Sequence, residues 1–246
     1  MAKKKKAKRD TKKIRRLFWL MGLAPFMVLG LLLVAAAFSE LPSFKELENP
    51  KSDLATEVIT TDNKVIGKFW SKNRTNIEYE DIPNHMIKAL IATEDERYYK
   101  HSGIDPEGVA RAVIYMGNRG GGSTITQQLA KLLFSEKPKT KFERVFQKAQ
   151  EWIIAGRLEK NYSKEEIITM YLNQYDFLYQ AVGLKSASNI YFSKDPIDLK
   201  VEEGAVLVGM LKNPILYNPK KEKYAENALN RRNTVLKQMV RNKFMT

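Results

Sequence analysis

The segment Ile91–Asp105 reads IATEDERYYKHSGID, and the rest of the chain is interpreted around it. It closes an apolar run and places three consecutive acids, Glu94, Asp95 and Glu96, near the end of a predicted helix. Carboxylates crowded in this way repel one another, so the pKa of one of them is expected to rise, which suits a general base. An acidic helix end exposed to water explains the same residues, and the segment alone does not separate the two interpretations.

The positive charge of the chain is concentrated at its N-terminus. Residues 1–16 contain ten of the 42 Lys and Arg residues but only one of the 28 Asp and Glu residues, so most of the net charge of +14 lies there. A basic tail differs from the basic face of a nucleic-acid-binding domain, and the chain contains no recognised nucleic-acid motif. We therefore expect no nucleic-acid partner.

The chain has no cysteine and two histidines, His85 and His101. Disulfides, thiol catalysis, zinc–thiolate sites and His-rich metal sites are therefore excluded. A metal ion would be held mainly by oxygen ligands, which indicates Mg²⁺ or a related ion.

Residues 17–38 form an uncharged, mostly apolar run that predicts a transmembrane helix. At about 1.5 Å per residue the run is long enough to cross a hydrocarbon core of about 30 Å. The basic tail before it predicts a cytoplasmic N-terminus, with the remainder of the chain outside the cytoplasm. A cleaved signal peptide with Ala35–Ala37 as its processing site is the alternative, but the run is longer than a usual signal core.

The chain is thus divided into four parts: a basic cytoplasmic tail at 1–16, a transmembrane helix at 17–38, a juxtamembrane linker at 39–55 and a folded domain at 56–246. Weakly alternating residues on either side of Asp62 and Asn63 predict a β-hairpin, and residues 76–80 predict a short strand. After residue 83 the chain is expected to be mainly helical. The predicted helices are 83–97, 106–115, one starting after Thr124, 142–160, 164–173, 181–190, 201–212 and 224–241.

The segment Arg119–Lys131 reads RGGGSTITQQLAK. Its glycines allow a close approach of the backbone to a ligand, and Thr124 with Gln127 has the spacing of a capping box at a helix start. A helix N-terminus behind such a loop can bind an anion. It is not a Walker loop, because Ser123 rather than lysine follows the last glycine. A flexible linker is the alternative.

Two further patterns concern the helices. Leu129, Leu132 and Leu133 give the helix after the glycine loop an apolar face, while Gln128 and Lys131 share another side. In the helix at 142–160, the side chains of Arg144, Lys148 and Glu151 share one face. For Lys148 and Glu151 the alternative is an ordinary surface salt bridge three residues apart.

Five blocks of sequence, in chain order, carry a resemblance to a known family. The blocks are Glu94–Asp105, Gly122–Lys131, Lys148–Glu151, Tyr171–Asn173 with Ala181, Gly183, Ala187, Tyr191 and Phe192, and Gly204–Leu211 with Asn213, Pro214, Tyr217–Pro219 and Arg231–Leu236. Over residues 55–240 the chain resembles the peptidoglycan glycosyltransferases of glycosyltransferase family 51, which occur in class A penicillin-binding proteins and as monofunctional enzymes. The resemblance implies a mainly α, lysozyme-like glycosyltransferase domain with a small N-terminal β-hairpin, preceded by a single transmembrane helix.

Some positions depart from the family pattern and put details of the polymer groove in doubt. At one of them a phosphate-facing charge is either missing or supplied by Arg144. The departures are Gln147 for arginine, Leu132 for asparagine, Thr169 for glutamate, and Leu178 and Gln180 for glycine.

The resemblance also implies the reaction. Lipid II, an undecaprenyl-pyrophosphoryl disaccharide pentapeptide, is polymerised into β-1,4-linked peptidoglycan strands. A single inversion at the anomeric carbon needs a base on the attacking 4-hydroxyl and no covalent intermediate, and Glu94 holds that catalytic position. Glu151 corresponds to a second catalytic carboxylate, which is expected to orient the pyrophosphate, a metal or a lysine rather than act as a base.

The pyrophosphate leaving group needs charge neutralisation more than a proton, and Lys131, Lys148 and the helix N-terminus behind the glycine loop can supply it. Whether a divalent cation, Mg²⁺ or Mn²⁺, assists is left open, and no metal ligand is assigned. The expected partners are lipid II, the growing strand, the plasma (inner) membrane and other cell-wall synthesis proteins. The implied substrate-binding residues are Asp95, Ser123, Thr124, Gln127, Gln128, Lys131 and Lys148.

Two other functions are compatible with parts of the sequence: a lysozyme-like lytic transglycosylase, and a non-catalytic membrane scaffold of cell-wall assembly. The block after the glycine loop and the basic cluster argue against the first, and the presence of both carboxylates argues against the second. No serine is followed by lysine three residues later, so a Ser-x-x-Lys transpeptidase motif is absent from this sequence. The sequence does not separate a monofunctional enzyme from the N-terminal part of a bifunctional one, although its abrupt end favours the latter.

Overall fold

The computed structural model describes residues 2–39, 41, 56–59, 65–69, 73–74, 76–115, 121–135 and 138–245. The chain divides into two compact units, one formed by residues 1–41 and 136–153 and the other by residues 42–135 and 154–246. The described residues are mainly helical, which confirms the predicted fold class.

The first unit contains helix α1, Ala2–Ala37. Within it, Arg15–Ala37 has a mean hydropathy of 2.4 and is long and apolar enough to cross a membrane. Large apolar side chains along this segment are exposed, among them Trp19, Leu23 and Leu31. Just after the helix, the hydroxyl of Ser39 accepts a hydrogen bond of 3.0 Å from the side-chain amide of Gln150. This bond joins the end of the apolar helix to the other segment of the same unit.

The second unit begins with the predicted β-hairpin. Strand β1, Thr56–Ile59, pairs antiparallel with β2, Val65–Phe69, and the register shifts between Val58 and Ile59. The hairpin is confirmed, whereas its predicted turn at Asp62 and Asn63 and most of the predicted linker at 39–55 lie outside the described residues.

The strand predicted at 76–80 is wrong. Tyr79–Asp81 forms a 3₁₀ turn, because the carboxylate of Asp81 accepts a hydrogen bond from the backbone N–H of Glu78 and closes the chain locally. Nearby, β3, Asn73–Arg74, pairs in parallel with β4, Ala181–Val182.

Helices follow, close to the predicted positions. The helices are α2 Asn84–Glu94, α3 Pro106–Ile114, α4 Ile125–Phe134, α5 Lys141–Asn161, α6 Lys164–Gln174, α7 Leu184–Phe192, α8 Val201–Met210 and α9 Ala225–Arg241. Helix α5 begins in the first unit and ends in the second. The capping box of Ser163 and Glu166 at the start of α6 is formed, as its sequence signature predicts.

Two helix boundaries differ from the prediction by three residues. Helix α2 ends at Glu94 rather than at 97, because Asp95 leaves the helical conformation and bonds elsewhere in the fold. The helix predicted at 181–190 starts three residues late: Ala181 and Val182 pair with β3, and Gly183 turns the chain with a φ of +84°. Leu129 is fully buried as expected, but Leu132 is 40% exposed, so the apolar face of α4 is narrower than predicted.

The core of the second unit lies where α2, α8 and α9 pack together and where α4 packs on α6. Leu90, Leu129, Ile167, Leu207 and Val235 are fully buried there. Gly209 on α8 allows a close approach, since a Cβ at this position would lie 3.0 Å from Cγ of Arg231 on α9. The side chain of Arg231 can therefore pass α8 and reach the end of α2.

Candidate active site

A cleft of about 700 Å³ opens in the second unit at the C-terminal end of α2. Its walls come from the acidic run, the glycine loop, α3, α4 and the end of α9, and they are mostly polar. The lining residues are Ala92–Glu96, Asp105, Arg111, Gly121–Thr124, Gln128, Gln238 and Arg241. Four predicted site residues, Ser123 and Gln128 among them, line this cleft together with Glu94.

Glu94 is held from two sides. Its Oε2 accepts a hydrogen bond of 3.0 Å from the side-chain amide of Gln128, and its Oε1 lies 3.4 Å from the guanidinium of Arg231. The side chain of Glu94 remains 15% exposed. The carboxylate is thus fixed in direction and still reachable from the cleft.

The contact from Arg231 could not be inferred from the sequence, because 137 residues separate it from Glu94. Arg231 is further fixed by a contact of 3.4 Å from its Nε to the carbonyl of Gly209, and its guanidinium lies 5.8 Å from the ring centre of Tyr217. The only hint in the sequence is that Arg231 belongs to the fifth block of the family resemblance.

Asp95 serves the fold of the site. Its two oxygens lie 3.0 and 3.1 Å from Nε2 of His101, and its Oδ2 also accepts a 3.1 Å hydrogen bond from the backbone N–H of Ile125. Ile125 is the first residue of α4. The helix N-terminus predicted as an anion site therefore already binds an anion, the carboxylate of Asp95, which also benefits from the helix dipole.

Thr124 completes this helix start. Its hydroxyl accepts a hydrogen bond of 3.1 Å from the N–H of Gln127 and donates one of 2.7 Å to the carbonyl of Gly103. The predicted cap is confirmed, but the reciprocal half of the capping box is not formed. The side-chain amide of Gln127 is buried and has no hydrogen-bond partner among the described residues.

The glycine loop contributes a close backbone contact. A Cβ on Gly122 would lie 2.9 Å from the carbonyl oxygen of Gly108 in α3, so only glycine fits without a shift. Ser123 and Gln128 face the cleft. Lys131 is exposed on α4 and is not one of the described residues that line the cleft.

Further ion pairs surround the cleft. Arg111 and Arg241 contact Glu96 at 3.1 and 3.4 Å. The guanidinium of Arg97 contacts both oxygens of Asp105, at 2.9 and 2.7 Å. Burial raises the pKa of Asp105, but the hydrogen bonds from Arg97 and from the backbone of Gly108 outweigh it and hold the pKa below its usual value.

The first unit contains the other predicted carboxylate. Glu151 on α5 accepts a hydrogen bond of 2.7 Å from Arg144 and one of 3.0 Å from Lys148, so the three side chains share a face as predicted. The side chain of Glu151 is 1% exposed, whereas those of Arg144 and Lys148 are 41% and 30% exposed. A buried carboxylate between two cations is not an ordinary surface salt bridge.

Comparison with known proteins now identifies the family. The sequence profile described as Transglycosylase matches residues 62–240, which is most of the chain. The chain belongs to the transglycosylase family. This confirms the resemblance drawn from the five sequence blocks.

The transglycosylase chain is similar to penicillin-binding proteins of several bacteria. It is 39% identical over 212 residues to penicillin-binding protein 1A of Vibrio cholerae, which covers 85% of this chain and 25% of that protein. It is 37% identical over 227 residues to penicillin-binding protein 2a of Streptococcus pneumoniae, with coverages of 92% and 30%. For penicillin-binding protein 1F of Bacillus subtilis the identity is 40% over 169 residues, with coverages of 67% and 23%. The chain thus spans between a quarter and a third of the length of most of these relatives.

Two departures from the family pattern coincide with an unusual backbone conformation in this transglycosylase. Leu178, Tyr179 and Gln180 have φ angles of +70°, +53° and +62°, a left-handed conformation that favours glycine. Leu178 and Gln180 are the two positions where the family pattern has glycine. The tight turn before β4 is therefore formed by residues whose side chains strain it.

A bound metal ion needs several ligands grouped around one point. Among the described residues, no three His, Cys, Asp or Glu side chains are grouped so that they could hold an ion. Glu94, Asp95 and Asp105 already accept hydrogen bonds from protein donors. These residues do not form a metal site by themselves, although Mg²⁺ commonly binds through one or two carboxylates together with substrate phosphates.

Proposed function

We propose that this transglycosylase-family domain polymerises lipid II into β-1,4-linked peptidoglycan strands, with undecaprenyl pyrophosphate as the leaving group. The observation that carries the proposal is the position of Glu94, a carboxylate directed by Gln128 and Arg231 and exposed to a polar cleft. A base so held needs little reorganisation when it receives a proton.

In the proposed reaction, the 4-hydroxyl of one sugar attacks the anomeric carbon of another. The new glycosidic C–O bond forms as the bond to the pyrophosphate breaks, and the hydroxyl proton passes to Glu94. The result is one inversion, with no covalent intermediate on the protein. The leaving group departs as an anion, so positive charge near it lowers the barrier more than a proton would.

That Lys131 and Lys148 supply this positive charge, as the family resemblance implies, stays a prediction. Both oxygens of Glu151 are engaged by Arg144 and Lys148, so Glu151 is poorly placed to take a proton from a substrate. Its role in the proposal is to hold these two cations, whose side chains remain partly exposed. A divalent cation would enter with the pyrophosphate, and no step above depends on it.

The proposal also includes a location. The apolar segment Arg15–Ala37 would anchor the domain in the plasma (inner) membrane, where a substrate with a lipid chain resides. The basic tail before it favours a cytoplasmic N-terminus, with the catalytic domain on the outer side. Other cell-wall synthesis proteins as partners stay a prediction.

The experiment that tests this function offers the purified chain, in detergent, either lipid II or finished glycan strands. Polymer formed from lipid II, with release of undecaprenyl pyrophosphate, is the expected result. Cleavage of finished strands without polymer formation would instead show the lysozyme-like lytic activity. Inactivity on both substrates by a folded protein would support the non-catalytic scaffold.

A further inference from the structure

A chain of hydrogen bonds runs from the core of the second unit to Glu94. Tyr171 on α6 is fully buried, and its hydroxyl donates a hydrogen bond of 2.9 Å to Oε1 of Gln128. Nε2 of the same amide donates the bond of 3.0 Å to Oε2 of Glu94. Gln128 therefore uses its acceptor toward Tyr171 and its donor toward Glu94.

The placement of the Gln128 amide in this series of hydrogen bonds depends on Tyr171. Burial, and then the charge of Glu94, raise the pKa of Tyr171 well above its ordinary value, so its hydroxyl remains a donor at every working pH. This hydroxyl donates to the amide oxygen of Gln128, while the amide nitrogen is directed at Glu94. Without the hydroxyl, the amide oxygen of Gln128 loses this partner, and the side chain can leave the rotamer in which its nitrogen reaches Oε2 of Glu94.

We propose that Tyr171 is a positioning residue of the reaction, which acts by fixing the amide of Gln128 so that its nitrogen holds Oε2 of Glu94. The longer contact of 3.4 Å between Arg231 and Oε1 leaves Oε1 as the oxygen that receives the hydroxyl proton. Gln128, which the sequence predicted to bind substrate, thereby orients the base. The inference rests on the proposed function, in which Glu94 is that base.

Tyr98, in the same unit, is a matched control that tests whether Tyr171 has only a structural role. Tyr98 is also fully buried, and its hydroxyl donates a hydrogen bond of 2.8 Å to the backbone carbonyl of Lys164. Replacement of either tyrosine by phenylalanine removes one buried hydrogen bond and keeps the ring. The two variants should therefore lose similar stability, and only one should lose turnover.

The experiment compares Tyr171→Phe, Tyr98→Phe and wild type in lipid II polymerisation. For Tyr171→Phe we expect kcat to fall about tenfold with KM unchanged, since a misdirected base raises the barrier without altering substrate contacts. For Tyr98→Phe we expect kcat close to wild type, with a similar decrease in Tm. Equal kcat values for Tyr171→Phe and wild type would overturn the proposal.

A double-mutant cycle tests whether Tyr171 acts through the amide. Gln128→Met keeps the length of the side chain but can form neither the hydrogen bond with Tyr171 nor the one with Glu94. It should therefore lower kcat by itself. Adding Tyr171→Phe to it should then change kcat little, because the orienting bond no longer exists. Independent, multiplying losses would overturn the proposal. A wild-type chain that does not polymerise lipid II would refute the proposed function, whereas an active wild type with an unaffected Tyr171→Phe variant would refute only the positioning role.

Discussion

The left-handed turn before β4 predicts an uncommon outcome, a stabilising substitution at a single exposed residue. Gln180 has a φ of +62° and an exposed side chain, so Gln180→Gly removes strain without removing buried contacts. A left-handed conformation costs a residue with a Cβ about 1–2 kcal/mol. Part of this gain, about 0.4–1 kcal/mol, is lost again, because glycine gives the unfolded chain more conformational freedom.

The expected net effect is therefore a gain of about 0.5–1 kcal/mol in the free energy of unfolding, or an increase in Tm of roughly 1–4 °C for a domain of this size. Thermal and urea unfolding of the purified chain measure it. Gln180→Ala is the matched control, because alanine keeps the Cβ and hence the strain, so its Tm should not rise. A second control is Lys237→Gly on the exposed face of α9. It should lower the free energy of unfolding by about 1 kcal/mol, since glycine is unfavourable inside a helix. A Gln180→Gly protein no more stable than the alanine variant would refute the strain argument.

The contacts around the site determine the effects of three further substitutions. Glu151→Gln should lower kcat by about 10²-fold, because a neutral amide cannot hold both Arg144 and Lys148. A near-wild-type rate in the polymerisation assay would show that this ion pair has no part in the reaction. Asp105→Asn should lower the free energy of unfolding by about 1–3 kcal/mol at neutral pH. Because the pKa of Asp105 is lowered in the folded protein, this difference from wild type should shrink as the pH falls below about 4. A difference in urea unfolding that does not change with pH would contradict this. Gly122→Ala should lower the free energy of unfolding by about 1–3 kcal/mol, since the added Cβ would meet the carbonyl of Gly108. Gly121→Ala adds its Cβ in open space, so thermal unfolding should show an unchanged Tm for that variant.

Local signals in the sequence were enough to find the helices and the N-terminal hairpin, but not the short strands β3 and β4. The caps at Thr124 and Ser163 mark helix starts because their hydroxyls bond to backbone N–H groups only three residues away. The shared face of Arg144, Lys148 and Glu151 follows from helical spacing alone. The apolar N-terminal helix follows from composition.

Tertiary contacts decided what the sequence could not show. Helix α2 ends at Glu94 because Asp95 finds partners in His101 and the start of α4, and neither partner is visible as a local pattern. The roles of Gln128 and Arg231 depend on packing that brings residues 34 and 137 positions away to Glu94. The sequence could place Glu94 at a helix end, but the groups that aim its carboxylate had to come from the fold.

The most direct measurement is lipid II polymerisation by the Glu94→Gln variant of the full chain. The amide preserves the size of the side chain but cannot accept the hydroxyl proton as a carboxylate does, so we predict no glycan polymer and a Tm close to wild type. Glu94→Asp keeps the charge but draws it back by one methylene. Its polymerisation rate should therefore lie between those of wild type and Glu94→Gln. A Glu94→Gln protein that polymerises lipid II at the wild-type rate would show that Glu94 is not the base and would contradict the account.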